Sequence, residues 1–210
     1  MEHEFWHQKW ASKEIGFHEG QPNTLLVRYF QHLEIPSNGR VLLPLCGKTV
    51  DIDWLLSQGY RVVGAELSEI AVAELFQRLQ LTPTINQHEN LKHYQAQDID
   101  IFVGDIFAVD GQMLGQLDAI YDRAALVALP DSMRRQYSKH LINTSNRAKQ
   151  LLITFTYEQN IMAGPPFAIL ASEIEALYGD HYHLTPLDSV NVPGGLKGQC
   201  EASEDIWLLS

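Results

Sequence analysis

The sequence is poor in cysteine and in basic residues, and it has no long apolar run. Its two cysteines, Cys46 and Cys200, lie in unrelated surroundings without the spacing of metal ligands, so we expect free thiols. Fifteen Lys and Arg residues against 26 Asp and Glu residues give a net charge of −11. Such a surface repels nucleic-acid phosphates and anionic lipid headgroups, and no stretch reaches the ~18 apolar residues of a membrane span. We therefore expect no nucleic-acid partner and no membrane partner.

The N-terminus is acidic and aromatic, where a signal peptide would be basic and then apolar. This favours a cytoplasmic protein. A chain of 210 residues suits one domain, in which residues 1–38 form a helical appendage and residues 39–210 an α/β core. No periodicity identifies a docking face for a second copy, so we expect a monomer. His181 and His183 have no third ligand nearby in the sequence, so we expect no metal site.

Short apolar runs alternate with amphipathic segments between residues 40 and 157. These runs predict strands at 41–45, 61–65, 99–103, 117–121 and 151–157, and two closing strands are predicted at 182–192 and 205–209. The polar stretch 82–90 shows no period and predicts a loop. The order predicts an α/β fold with a mostly parallel seven-stranded sheet, helices on both faces and an antiparallel C-terminal strand.

Polar and charged residues follow the predicted parallel strands directly. They are Leu45-Cys46-Gly47-Lys48 after the first strand, Glu66 after the second, Gly104-Asp105-Ile106 after the third and Asp122-Arg123 after the fourth. Open parallel sheets bind ligands beyond the carboxyl ends of their strands, where the strand order reverses. We therefore expect three acids and one arginine to cluster at this rim of the sheet.

Glu66 and the first turn together indicate the kind of ligand. A carboxylate that ends the second strand, about 20 residues past the first turn, is placed to accept both hydroxyls of a ribose. The alternative is a solvated acid before a helix N-terminus. The turn holds one glycine, Gly47, instead of the G-x-G-x-x-G that wraps a pyrophosphate. A nucleoside without phosphate, S-adenosylmethionine, is therefore favoured over NAD.

Trp6 and Trp10 lie four residues apart, on one face of a predicted helix near the N-terminus. Such a pair serves either as a packing staple or as a cover over the rim. As a cover, its aromatic faces would attract a sulfonium cation and exclude water.

Several unusual motifs resemble those of the thiopurine S-methyltransferase family. They are Phe5-Trp6-x-x-x-Trp10 with Gly16-Phe17-His18, the runs 42–51 and 63–68, Gln58-Gly59-Tyr60 and the run 121–128. The resemblance covers residues 4–157 and looks like the bacterial branch of the family. It implies a Rossmann-like class I methyltransferase fold, S-adenosylmethionine as cofactor, and methyl transfer to the sulfur of aromatic and heterocyclic thiols, thiopurines among them.

The resemblance also implies roles for individual residues. The positions that match the family's cofactor contacts are Trp10, Leu45, Glu66 and Arg123, with Asp105 and Ile106 at the adenine. Trp6 begins the segment that closes over cofactor and acceptor, and is a further cofactor-binding candidate. Phe17 matches an aromatic ring that meets the acceptor. The family carries an arginine shortly before the last strand, where this sequence has Lys197 as the one cation of residues 192–198.

Arg123 is the residue expected to orient the acceptor and to stabilise its negative charge. The alternative is a structural ion pair with Asp122 or Asp105. An aromatic thiol ionises near neutral pH, so the reaction needs positioning more than a strong general base.

Other functions are also compatible with parts of the sequence. Within the same class, the acceptor could be an inorganic selenium or tellurium species or another small soft nucleophile. A non-catalytic nucleoside-binding module would explain the altered stretch 192–198. A short-chain oxidoreductase requires Tyr-x-x-x-Lys, and Lys139 follows Tyr137 at the wrong offset.

Overall fold

The computed structural model describes residues 3–16 and 18–210. Its helices are α1 His3–Ala11, α2 Thr24–Tyr29, α3 Asp51–Ser57, α4 Glu69–Leu79, α5 Gly111–Leu114, α6 Asp131–Thr144 and α7 Ala171–Tyr178. Its strands are β1 Arg40–Pro44, β2 Arg61–Glu66, β3 Thr84–His88, β4 Leu91–Ala96, β5 Ile99–Val103, β6 Ala119–Arg123, β7 Lys149–Tyr157, β8 Leu184–Asn191 and β9 Ala202–Leu209. None of the helices in these two ranges is both long enough and apolar enough to cross a bilayer.

All strands join one sheet in the order β3-β4-β5-β2-β1-β6-β7-β9-β8. The central strands β5, β2, β1, β6 and β7 are parallel. The closing strands β8 and β9 form an antiparallel hairpin, and β9 is antiparallel to β7. The strand order reverses between β1 and β6, so this is the point where the fold opens a crevice at the carboxyl ends of the strands. The predicted α/β fold is confirmed.

The predicted number of seven strands is wrong, because the described part of the chain already forms a sheet of nine. Residues 84–88, predicted as part of a loop, form the edge strand β3, which pairs antiparallel with β4. Every residue of β3 is exposed. A strand that buries neither face carries no alternation of apolar and polar residues, so periodicity could not reveal it.

Helices cover both faces of the sheet. One face packs against α2, α3 and α4 through the buried side chains Leu25, Leu26, Ile52, Leu55, Val72 and Leu75. The other packs against α5, α6 and α7 through Leu114, Tyr137, Leu141, Ile174 and Tyr178. Successive residues of the central strands point to opposite faces, and both faces are buried. This is why the central strands are continuous apolar runs.

The segment before β1 is fixed to the sheet at the start of α2. Asn23 caps this helix, since its side-chain oxygen accepts hydrogen bonds from the backbone N–H groups of Leu25 and Leu26. Its own N–H donates to the carboxylate of Asp51 over 2.7 Å. Residues 18–23 are thereby held near the first turn of α3, beside the crevice.

Candidate active site

The turn after β1 curls toward the end of β2. The N–H of Cys46 donates to the carbonyl of Ala65 over 3.0 Å. The N–H of Gly47 donates to Oε2 of Glu66 over 2.7 Å. Leu45 and Gly47 both have positive φ, 48° and 53°, which gives the turn a tight left-handed backbone. The turn and Glu66 therefore form one unit.

Glu66 is a buried carboxylate with hydrogen-bonding capacity left over. Its side chain is fixed at both oxygens, because Oε1 accepts from the N–H of Ser68 over 2.7 Å while Oε2 accepts from Gly47. The residue is only 5% exposed, and burial raises the pKa of its carboxyl against the lowering effect of these amides. An ionised carboxylate offers about four acceptor positions, so these two hydrogen bonds do not use all of them. Glu66 could therefore accept further hydrogen bonds from hydroxyl groups.

Trp10 packs directly on this turn. Its side chain is 5% exposed, and a Cβ added to Gly47 would lie 2.9 Å from Cζ2 of the indole ring. The ammonium group of Lys48 lies 5.8 Å from the ring centroid. Trp6, one turn earlier on α1, is half-buried and meets the ring of Phe5 edge-on. The structure thus brings Trp10, Gly47 and Glu66 together.

The end of β5 lies beside Glu66, as expected for the rim. The N–H of Gly104 donates to the backbone carbonyl of Glu66 over 2.9 Å. The carboxylate of Asp105 accepts from the N–H of Phe107 over 3.0 Å and so starts a short 3-10 turn that contains the buried Ile106.

Asp122 and Arg123 point to opposite faces of β6. Asp122 is fully buried and accepts hydrogen bonds from the hydroxyl of Tyr137 over 2.7 Å and from the N–H of Leu126 over 3.1 Å. Burial raises the pKa of Asp122 to about 6. Its predicted place in the rim cluster is wrong, because strand β6 extends through both residues and neighbours alternate between faces. An ion pair between Asp122 and Arg123 is excluded for the same reason.

Arg123 instead forms an ion pair with Glu19. The Arg123 side chain is 13% exposed and the Glu19 side chain 44%. Glu204, on β9, is half-buried on the same face, and burial raises the pKa of its carboxyl, while Arg123 lowers it and Glu19 raises it further. The sequence alone did not reveal either carboxylate, since Glu19 lies outside any helix or strand and Glu204 is one acid among several near the C-terminus.

Arg78, on α4, holds the turn after β1 in place, another contact that the sequence did not reveal. Its guanidinium donates to the carbonyls of Lys48 and Thr49 over 2.6 and 3.0 Å and pairs with Asp53. The pKa of the His18 imidazole is lowered, first by its burial and then by the positive charges of Lys48, Arg78 and Arg123.

The remaining residues that the sequence singles out are Phe17, Lys197 and Cys46. Phe17 lies outside the described residues. Lys197, which stands where the family has an arginine, donates from Nζ to the carbonyl of Pro165 over 2.8 Å. Cys46 is buried, and burial raises the pKa of its thiol, which suits packing rather than nucleophilic chemistry. Among residues 3–16 and 18–210, no three His, Cys, Asp or Glu side chains are arranged to hold a metal ion.

Comparison with known proteins places this arrangement in a family. The chain matches the family described as Thiopurine S-methyltransferase (TPMT) over residues 1–203. A thiopurine S-methyltransferase of Xanthobacter autotrophicus is 51% identical over 210 residues, covering 100% of this chain and 99% of that protein. Another, of Teredinibacter turnerae, is 50% identical over 210 residues, covering 100% and 98%.

Solved structures share the fold at low sequence identity. The 1,6-didemethyltoxoflavin-N1-methyltransferase of Burkholderia thailandensis, with bound 1,6-didemethyltoxoflavin and S-adenosylhomocysteine, has a TM-score of 0.68 at 17% identity, over 99% of this chain and 87% of that one. The magnesium protoporphyrin IX methyltransferase of Synechocystis, with bound S-adenosylhomocysteine, has a TM-score of 0.65 at 14% identity, over 100% of both chains. The resemblance read from the motifs is confirmed, and so is the cofactor. The chain is an S-adenosylmethionine-dependent methyltransferase and belongs to the thiopurine S-methyltransferase family.

Proposed function

We propose that this enzyme methylates the sulfur of aromatic and heterocyclic thiols, thiopurines among them. One observation carries the proposal. A buried carboxylate, Glu66, and a nearly buried guanidinium, Arg123, end two strands on either side of β1. The segment before β1 packs Trp10 on Gly47, beside Glu66, and pairs Glu19 with Arg123. This puts an acceptor for hydroxyl groups and a binder of negative charge at one rim, around the point where the strand order reverses.

The cofactor side is assigned to residues of the turn and of the neighbouring strand ends. S-adenosylmethionine, when bound, supplies a methyl group on a positively charged sulfur. Glu66 accepts the ribose hydroxyls through the positions that Gly47 and Ser68 leave open. Leu45, Asp105 and Ile106 line the nucleoside, and Trp10 covers the rim and excludes water, with Trp6 one turn earlier on α1.

The acceptor side is assigned to Arg123. Its guanidinium would bind the thiolate or thione sulfur of the acceptor and hold it in line with the methyl group, because positioning is the main contribution that such a displacement needs. Aromatic thiols ionise near neutral pH, so no side chain has to remove a proton at this site. The family's aromatic acceptor contact falls on Phe17, whose role rests on the sequence resemblance.

Arg123→Ala tests the proposal in a radiolabelled methyl-transfer assay over a panel of aromatic thiols, with selenite included. We expect kcat/KM for the thiols to fall about a hundredfold, the usual cost of removing one charge-stabilising donor. The dissociation constant of S-adenosylhomocysteine, measured by calorimetry, should change much less. Arg135→Ala is the matched control, since Arg135 is 76% exposed on α6.

Each other outcome has a definite meaning. Transfer to selenite without transfer to any thiol would move the acceptor to inorganic chalcogen species. Binding of S-adenosylhomocysteine without transfer to any member of the panel would contradict the proposal and favour a non-catalytic module. Equal losses in Arg123→Ala and Arg135→Ala would remove Arg123 from the acceptor site.

A further inference from the structure

Glu19 is held over Arg123 by a short anchored segment. Its carboxylate also accepts a hydrogen bond from Nδ2 of Asn23 over 3.3 Å. Asn23 is itself fixed, because its N–H donates to the buried carboxylate of Asp51 over 2.7 Å. Glu19 therefore stands four residues before a fixed point, on chain that forms neither helix nor strand. The carboxylate therefore reaches Arg123 from backbone that lacks the regular hydrogen bonds of a helix or strand.

Glu204 supplies a second negative charge on the same side. It lies two residues before Ile206 on β9, so both side chains share the sheet face that Arg123 also uses. The charges of Glu19 and Arg123 both act on the Glu204 carboxyl. Backbone pairing with Phe155 and Val190 fixes Glu204 in the sheet. Of the two carboxylates, Glu19 is the one that can move.

An anionic acceptor must compete with Glu19 for Arg123. A guanidinium that pairs with one carboxylate and lies near another faces a local excess of negative charge. An acceptor with a thiolate and a neutral ring brings one negative charge to this place, whereas an acceptor with an added carboxylate brings two. Like charges brought together in a partly buried site repel each other.

We propose that Glu19 is a specificity-determining residue, which occupies Arg123 until the acceptor displaces it and so favours acceptors without a second negative charge. This inference rests on the proposed function, in which Arg123 binds the acceptor. Glu19 acts through Arg123 and is a positioning residue. It sets the acceptor class as small aromatic thiols whose rings are neutral or positively charged.

A purely structural role for Glu19 would give a different pattern. If the ion pair only held residues 18–23 in place, its loss would weaken all acceptors by the same factor and would also weaken the cofactor. A charge effect instead depends on the charge of the acceptor's substituent. The test therefore compares acceptors that differ in charge and little in size.

The experiment uses Glu19→Gln with three para-substituted thiophenols, which are 4-mercaptobenzoate, 4-mercaptobenzamide and 4-(aminomethyl)thiophenol. Dissociation constants are measured by calorimetry on protein saturated with S-adenosylhomocysteine, and KM and kcat by methyl transfer. We expect binding of the benzoate to tighten about fivefold relative to the benzamide, and binding of the aminomethyl compound to weaken relative to it, as for a partly exposed ion pair. The changes should appear in KM, with kcat within about twofold.

Three controls make the result specific. Glu34→Gln removes an exposed ion pair with Lys149, on a different part of the chain, and should leave the selectivity of the wild type. Glu19→Asp keeps the charge on a shorter side chain and should restore most of that selectivity. In Arg123→Ala, adding Glu19→Gln should no longer tighten binding of the thiolate that all three compounds share, because no ion pair remains to be displaced.

Failures of the two proposals are distinguishable. If the wild type neither binds nor methylates any of the three thiols, the proposed function fails. If it methylates them and Glu19→Gln changes all three by one factor, only the role of Glu19 is overturned.

Discussion

The carboxylate of Asp51 joins the backbone of Asn23 to the side chain of Tyr121. Oδ1 accepts from the N–H of Asn23 over 2.7 Å and Oδ2 accepts from the Tyr121 hydroxyl over 3.1 Å. Asp51 is 1% exposed, at the first residue of α3. One buried side chain therefore ties the segment that carries Glu19 to the strand that carries Arg123.

Asp51→Ala should lower the free energy of unfolding by about 2–3 kcal/mol, because it leaves two buried donors without an acceptor. Urea denaturation measures the change. Asp180→Ala, at an exposed position after α7, serves as control and should stay within about 0.5 kcal/mol of the wild type. A loss in Asp51→Ala no larger than in the control would show that these hydrogen bonds contribute little.

The central sheet could be predicted from the sequence because its strands are buried on both faces and read as apolar runs. The edge strand β3 could not, since all its residues are exposed. The error at Asp122 has a local cause. The predicted strand 117–121 is displaced by two residues from the observed Ala119–Arg123, so Asp122 belongs to the strand and faces the core.

The residues of the candidate site also differ in whether the sequence could predict them. Glu66 and Gly47 were predictable, because Glu66 ends β2 and Gly47 lies three residues after β1, so their place at the rim is a local property. Glu19 was not, because it is 104 residues from Arg123 in sequence and only the folded chain brings the two together. Spacing rules describe neighbours along the chain and carry no information about such a pair.

Glu66→Ala should weaken binding of S-adenosylhomocysteine about a hundredfold, since it removes the acceptor proposed for the ribose and leaves the amides of Gly47 and Ser68 unpaired. Burial raises the pKa of Glu66, so this carboxyl is protonated at a higher pH than ordinary carboxyls. The affinity of the wild type for S-adenosylhomocysteine should therefore fall as the pH is lowered from neutrality, while that of Glu66→Ala should not change with pH.

Calorimetric titrations across this pH range provide the measurement. Glu175→Ala, an exposed position on α7, is the matched control and should follow the wild type. Wild-type affinity that does not change with pH, together with unchanged affinity in Glu66→Ala, would exclude Glu66 from the cofactor site.

Gly47→Ala should disturb Trp10 as well as the backbone. Gly47 has φ of 53°, and the added Cβ would lie 2.9 Å from Cζ2 and 3.2 Å from Cη2 of Trp10. The left-handed backbone alone costs an alanine about 1–2 kcal/mol. Gly59→Ala isolates that cost, because Gly59 has φ of 81° and nothing within 4 Å of the added atom.

We expect Gly47→Ala to be the less stable of the two variants in thermal unfolding, and to be the one in which the Trp10 indole becomes more accessible. Quenching of tryptophan fluorescence by acrylamide reports that accessibility. Binding of S-adenosylhomocysteine should also weaken in Gly47→Ala and stay unchanged in Gly59→Ala. Equal behaviour of the two variants would mean that Trp10 accommodates the methyl group without moving.

Asp122→Asn should change how stability depends on pH. The folded protein raises the pKa of Asp122 from 3.8 to about 6, mainly through burial. Between these values the folded state binds more protons than the unfolded state, so this residue lowers the free energy of unfolding as the pH rises. The destabilisation by Asp122 is complete once the pH is well above 6. The difference between the two pKa values corresponds to about 3 kcal/mol of unfolding free energy. Asparagine does not titrate and removes the effect.

The measurement is the difference in unfolding free energy between the wild type and Asp122→Asn, from urea denaturation at several pH values between 4 and 7.5. Taking the difference cancels the opposite contributions of carboxyls such as Glu69 and Asp188, whose pKa values are lowered by hydrogen bonds. The wild type should lose about 2.5 kcal/mol relative to the variant across this range, since the rest of the effect falls below pH 4, near the unfolded pKa of 3.8. Asp180→Asn should run parallel to the wild type, and a parallel curve for Asp122→Asn would show that Asp122 titrates as it does in the unfolded chain.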